Sequence, residues 1–183
     1  MADEEDLRYP IGKEEAQKEF NAEYNEPLKT QLLTEIKMLP SNLELAIQNL
    51  DAAQLDMPYR FGGWTVKQLI HHISDSHINA YTRFKLGLTE DNPIIKPYDQ
   101  DAWAILPDAQ KLPVNISLTL LHALHIRWYQ LMYDLNESQW QRTIYHPERK
   151  VIITLWSLLK SYSWHSRHHT AHITDLRERM KWS

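Results

Sequence analysis

The sequence predicts an all-α fold, a four-helix bundle, on three observations. Four long segments carry apolar residues at helical spacing, an alternating strand pattern is almost absent, and only 4 of the 183 residues are glycine. Apolar residues recurring every three or four positions line one helical face, and four such faces with no sheet to cover must bury one another. Glycine at far below its average usage of about 7% disfavours folds that spend it on phosphate loops and tight turns. The length fits one domain, since roughly 100–200 residues is typical.

Residues 1–25 are polar and read as an arm, with a turn at Pro10, Ile11 and Gly12; residues 26–183 form the bundle. The first helix is marked by Leu28, Leu32, Ile36, Leu39, Leu43, Ile47 and Leu50. Pro40 lies inside that pattern and either kinks one helix or divides it in two, because it removes a backbone donor and crowds the preceding turn. The second helix is announced by a capping box, Thr65 as N-cap and Gln68 three residues on, with Trp64 and Leu69 as a hydrophobic staple. Its apolar face runs through Val66, Leu69, Ile70, Ile73, Ala80, Tyr81 and Phe84 to about Leu88.

Pro93, Pro97, Pro107 and Pro113 then forbid a regular helix. The segment reads as a long crossover with a short helical turn near Asp101 to Ile105, long enough to return the second and third helices parallel. The third helix spans roughly Ile116 to Leu135, with Leu118, Leu121, Leu124, Trp128, Leu131 and Leu135 inward. The fourth starts near Thr154 and ends near Met180. Val151 to Thr154 is the one strand-like stretch, too short to build a sheet. Trp103, Trp140 and Trp182 fall outside the core stripes, which suggests a subunit interface, where aromatic residues are enriched.

Composition narrows the chemistry. Twenty Lys and Arg against 24 Asp and Glu give a net charge of −4, with no basic run or stripe to hold nucleic acid. The start, MADEEDLRYP, is acidic where a signal peptide is basic, and no stretch approaches the roughly 18 apolar residues of a membrane span. A soluble, cytoplasmic protein is expected. No GxGxxG or GxxxxGK[ST] fingerprint can be written from the four glycines. The absence of cysteine excludes disulfides, thiolate metal sites and a cysteine nucleophile, leaving ten histidines and the carboxylates for metal or acid–base work.

On the last helix, Leu155, Leu158, Leu159, Tyr162, His169, Ile173, Leu176 and Met180 form the apolar stripe. At about 100° per residue, His169 lies within roughly 20° of its midline and His165 within roughly 60°, with His172 at about 80° and His168 at about 120°. His165 and His169 therefore point inward one turn apart, the spacing that lets two imidazoles share a metal. A third ligand is expected from another helix. The second helix offers His71 and His72, between which periodicity does not choose; His72, Ser76 and Asn79 share one polar face.

These motifs carry a resemblance. Tyr9-Pro10-Ile11-Gly12, PYRFGGWTVKQLIHHISDSHINAYTRFKL (58–86), KPYDQDAW (96–103) and WHSRHHTAHIT (164–174) resemble the metal-dependent hydrolases of the YfiT group in the DinB-like superfamily, over nearly the whole chain. The resemblance implies an up-down-down-up bundle, a homodimer, and one divalent metal per chain, zinc or else nickel, held by His72, His165 and His169. It leaves His71 as a neighbour of the site; Arg167, inside the histidine run, points away from the apolar stripe by its place on the helix and is expected to do the site no damage. Relatives in the wider superfamily transfer bacillithiol or mycothiol, so the activated nucleophile is expected to be water or a low-molecular-weight thiol attacking a small electrophilic substrate. Around the metal, Asp75, Ser76, His146 and His172 are the candidates to orient ligands or meet substrate. The competing class is a non-catalytic metal-binding bundle; a structural site would be closed by a fourth protein ligand, and no cysteine exists to supply one.

Overall fold

The computed structural model describes residues 7–14 and 23–182. Four long helices form the bundle: α1 (Glu26–Ile47), α3 (Val66–Thr89), α6 (Val114–Tyr133) and α8 (Leu155–Met180). Shorter elements connect them: α2 (Ala52–Leu55), α4 (Gln100–Ala104), α5 (Pro107–Lys111), α7 (Glu137–Trp140), β1 (Thr143–His146) and β2 (Val151–Thr154). α1 and α3 each pack against both α6 and α8. Of the arm, residues 1–6 and 15–22 lie outside the described residues; the Pro10–Ile11 turn is present, closed by Gly12 N–H donating to the Tyr9 carbonyl at 2.8 Å with Gly12 at φ +80°.

Local chemistry sets the helix ends. Thr65 accepts from Gln68 N–H at 3.1 Å while the Gln68 side chain accepts from Thr65 N–H at 3.0 Å, so both halves of the expected capping box form at the start of α3. Asn25 and Thr154 cap α1 and α8 in the same way, each accepting from the N–H three residues on. The crossover holds two short helices, α4 and α5, where one turn is expected.

Pro40 does not divide the first helix: α1 continues through it to Ile47. A small hairpin forms where the sequence predicts at most one strand too short to build a sheet. Val151–Thr154 does pair, antiparallel with Thr143–His146, and the register runs from Thr143↔Thr154 to His146↔Val151. The partner strand was hidden because Thr143–His146 has no alternation, with one buried residue of four. The crossover is stitched to this hairpin by Ile95 N–H to the Tyr145 carbonyl and Tyr145 N–H to the Pro93 carbonyl. Gly87 on α3 permits that packing, since a Cβ there would lie 2.8 Å from Leu155 Cδ2 and 3.2 Å from Ile144 Cγ2.

Two apolar clusters fill the bundle, one above the other. The first contains Leu32, Leu33 and Ile36 of α1, Ala80 and Phe84 of α3, Trp128 and Met132 of α6, and Leu155 to Tyr162 of α8. The second contains Leu39, Leu43 and Ala46 of α1, Val66 to Ile73 of α3, Val114 to Leu121 of α6, and Ile173 and Leu176 of α8. Chain direction follows from this division. α1 and α8 run from the first cluster to the second, and α3 and α6 run from the second to the first, which is the up-down-down-up order.

Trp140 is not interface material. It is fully buried, edge-on to Phe84 at 6.1 Å and to Trp156 at 5.9 Å, with its indole N–H donating to the Leu135 carbonyl. Its position on the one-turn α7 gave it no stripe to belong to. Trp182 packs partly buried on the second cluster, and Trp103 is the exposed member of the three. Among the described residues no helix is long and apolar enough to cross a membrane.

Candidate metal centre

Between the two apolar clusters lies a layer of polar side chains. α3 contributes His72, Ser76 and His77, α6 contributes His125, and α8 contributes His165, Ser166 and His169. Helical spacing puts them there: each is three or four residues from an apolar core neighbour on its own helix, so the stripe that fills the core also carries the imidazoles inward.

His72, His165 and His169 come together, each offering a ring nitrogen within 4.8 Å of the others. His72 Nε2 and His165 Nε2 are 3.3 Å apart. That is the edge expected of a tetrahedron of nitrogens about 2.0–2.1 Å from a zinc-like ion. His72 is 4% exposed and His169 8%. Burial holds His72 at about 4, below the ordinary 6.5, and burial with the surrounding imidazoles holds His165 and His169 well below it. All three are therefore neutral near pH 7, the form that ligates. The donor set fits a divalent ion: three neutral imidazoles with no ammonium or guanidinium among them.

His71 is placed apart from this group. Its Nε2 lies 3.2 Å from the Leu112 carbonyl, which can only accept, so Nε2 carries the proton; its Nδ1 then accepts from the Ser117 hydroxyl at 2.7 Å. Both nitrogens are committed. Of the pair between which periodicity does not choose, His72 is the one whose ring meets the α8 histidines, while His71 faces Ser117 and the Leu112 carbonyl.

The candidates for orienting roles divide similarly. His172 Nε2 donates to the Arg8 carbonyl at 3.2 Å, leaving Nδ1 to accept from His169 Nδ1–H at 3.3 Å. His169 is thus left with Nε2 as its bare nitrogen, and the arm residue Arg8 anchors the arrangement. His168, His169 and His172 also form a tight group, but those two hydrogen bonds occupy His172 fully. Ser76 Oγ lies 3.5 Å from His165 Nε2. His146 and Asp75 do not reach the α8 histidines: His165 meets Ser76, His77 and His72, and His169 meets His172. Asp75 is half-buried, and burial, with Asp108 nearby, raises it to about 6. His146 receives the Arg149 N–H at 3.4 Å and stands on a cavity wall.

Two cavities reach the ligands. One, of about 280 Å³, is lined by Ser76, Arg83, Tyr98, His146, Arg149 and His165 among others. Another, of about 380 Å³, is lined by Arg8, Tyr9, Trp64, His72 and His169. Arg83 is fixed by its hydrogen bond to the Tyr162 hydroxyl at 2.8 Å. Trp64 covers His72, with ring centroids 4.5 Å apart. Arg167 points away to an ion pair with Glu35 at 3.1 Å, and His122 pairs with Glu44 at the surface at 3.0 Å.

Two residues of the layer escape the sequence reading. His77 Nε2 is 3.2 Å from His165 Nδ1, and His77 Nδ1 is 2.9 Å from His125 Nε2. A signal existed for His77, since it lies four residues after Ile73 and three before Ala80, both on the apolar face of the second helix. His125 had none to separate it from an ordinary packed histidine.

The chain is similar to proteins already known. The DinB superfamily model matches residues 35–173. A protein of Bacillus mycoides strain KBAB4 named "Putative metal-dependent hydrolase" is 50% identical over 177 residues, covering 97% of this chain and 99% of the relative. A Bacillus cereus strain 03BB102 protein of the same name matches to the same extent. The structure of YfiT from Bacillus subtilis, described as "a probable metal-dependent hydrolase with an unusual four-helix bundle topology", aligns with a TM-score of 0.93 at 45% identity, over 97% of this chain and 99% of that chain. The chain belongs to the DinB superfamily.

Proposed function

We propose that this member of the DinB superfamily is a metal-dependent hydrolase in which His72, His165 and His169 hold one divalent ion, zinc or else nickel. The observation that carries the reading is the meeting of three neutral imidazoles from two helices, with the nitrogens of His72 and His165 3.3 Å apart and each ring on a cavity wall. When bound there, a divalent ion supplies Lewis acidity, polarising an electrophilic group and lowering the pKa of water to about 7. Among the described residues the group holds three histidines and no fourth protein ligand, which leaves positions for water and substrate.

The chain's own residues do the rest. Ser76 stands within reach of the His165 nitrogen and can accept a hydrogen bond from a nucleophile beside it. Arg83, oriented by Tyr162, brings fixed positive charge and N–H donors into the same cavity, suited to a carbonyl or anionic oxygen of a small substrate. Tyr98 and Trp164 wall that cavity and limit the water in it.

The test offers the zinc- or nickel-loaded protein a panel of esters, amides and other small electrophiles, with water alone or with bacillithiol and other cellular thiols. Turnover in water that vanishes in His165→Ala is the expected result. Turnover only when a thiol is present would replace hydrolysis with S-transfer, and intact metal binding without turnover of any kind would favour the non-catalytic bundle.

A further inference from the structure

Pro40 has a consequence at the metal site. In an α-helix the carbonyl of residue 36 accepts from the N–H of residue 40, and proline has none. The Ile36 carbonyl of α1 is therefore released from its own helix, and it is this carbonyl that meets His125 Nδ1. A carbonyl can only accept, so His125 carries its proton on Nδ1 and its Nε2 is bare.

The protons of the next two rings are fixed one bond at a time. His125 Nε2 lies 2.9 Å from His77 Nδ1, so His77 donates from Nδ1 and its own Nε2 is bare. His77 Nε2 lies 3.2 Å from His165 Nδ1, so His165 donates from Nδ1. The Nε2 of His165 is then left bare, and it is the nitrogen that faces His72. Each neutral imidazole has one donor and one acceptor: His125 and His77 use both in this row, and His165 uses its donor and keeps its acceptor. His77 is fully buried and boxed edge-on by Trp128 and Tyr162 at 5.5 Å each, so its ring cannot flip without disturbing both.

We propose that His77 and His125 are positioning residues: anchored on the carbonyl that Pro40 frees, they hold His165 as the Nδ1–H tautomer with Nε2 bare and aimed at the ion. The proposal rests on the metal reading above. It differs from the carboxylate-backed histidine common in metal sites, because the outer partner is a second imidazole and then a third, ending on backbone. No charge is buried behind the ligand, so the layer stays neutral between two apolar clusters.

The test uses the full chain labelled with 15N-histidine and long-range 1H–15N correlation, read first without metal. His165, His77 and His125 are expected each to show a protonated Nδ1 and a bare Nε2. A protonated Nε2 on His165 in the wild type would overturn the proposal, and that reading needs no variant to fold. His125→Phe, which removes the anchor without touching His165, is expected to admit the Nε2–H tautomer of His165. It is also expected to weaken zinc binding, measured against a competing chelator, by about 10–100-fold. His77→Gln, whose amide oxygen can accept in place of Nε2, is expected to lose less affinity than His77→Phe. Unchanged tautomer and unchanged affinity in His125→Phe would mean that the histidines merely pack. If the wild type binds no zinc the metal reading falls, while the tautomers still decide the relay.

Discussion

The apolar clusters and the histidine layer between them are built from the same four helices, yet they obey different rules. In the clusters a side chain matters through the area and volume it fills, so neighbours can compensate for one another. In the layer each residue matters through which nitrogen carries a proton, and on the proposed reading one wrong tautomer would disable a ligand. The contrast between His71 and His72, adjacent on α3, states the difference: one is saturated by Ser117 and the Leu112 carbonyl, the other has its Nε2 3.3 Å from that of His165.

Stability should therefore be lost most sharply in the clusters. Phe84 is fully buried against Trp128 and Trp140. Phe84→Ala is expected to cost about 3–5 kcal/mol in denaturant unfolding, with zinc per folded chain unchanged. Loss of zinc stoichiometry in the folded fraction would show that cluster and layer are not separable.

The layer should dominate the response to acid. Burial holds His72 and His125 at about 4, whereas in the unfolded chain histidine takes up its proton near 6.5. Between those values the unfolded state binds more protons, so the metal-free protein loses stability as pH falls from about 6.5 toward 4 and is indifferent above that window. Each such group contributes at most about 1.4 kcal/mol per pH unit. Urea midpoints between pH 7.5 and 4.5 measure the slope, and His125→Phe should make it shallower. A flat profile would mean that these imidazoles charge in place.

The smallest effect is expected where a cluster meets the hairpin. A Cβ at Gly87 crowds the flexible end of Leu155. Gly87→Ala is expected to cost about 1–3 kcal/mol in overpacking, offset by about 1 kcal/mol of helix propensity. A net thermal destabilisation is the predicted sign, and a stabilised variant would show that Leu155 simply rotates away.

Periodicity made the clusters legible in advance, because burial repeats with the helix and leaves leucine at every third or fourth place. It also found His165 and His169, which ride on such a stripe. It could not place Trp140, held on a single turn, nor the strand Thr143–His146, which is defined by its partner and by the crossover. His77 and His125 were beyond it for another reason. Their meaning lies in contacts 48 and 88 residues apart in sequence, and one of the determinants is a bond that Pro40 fails to make. A missing donor leaves no periodic trace.

The most direct test is the zinc content and affinity of His72→Ala beside His71→Ala. His72→Ala is predicted to lose zinc affinity by more than the about 10–100-fold typical of removing an outer partner, with its fold intact by circular dichroism. His71→Ala is predicted to keep about one zinc per chain and to lose only about 1–3 kcal/mol of stability from its unpaired neighbours. Equal zinc binding in the two variants, or loss in His71→Ala alone, would contradict the assignment of the layer as a metal centre built on His72, His165 and His169.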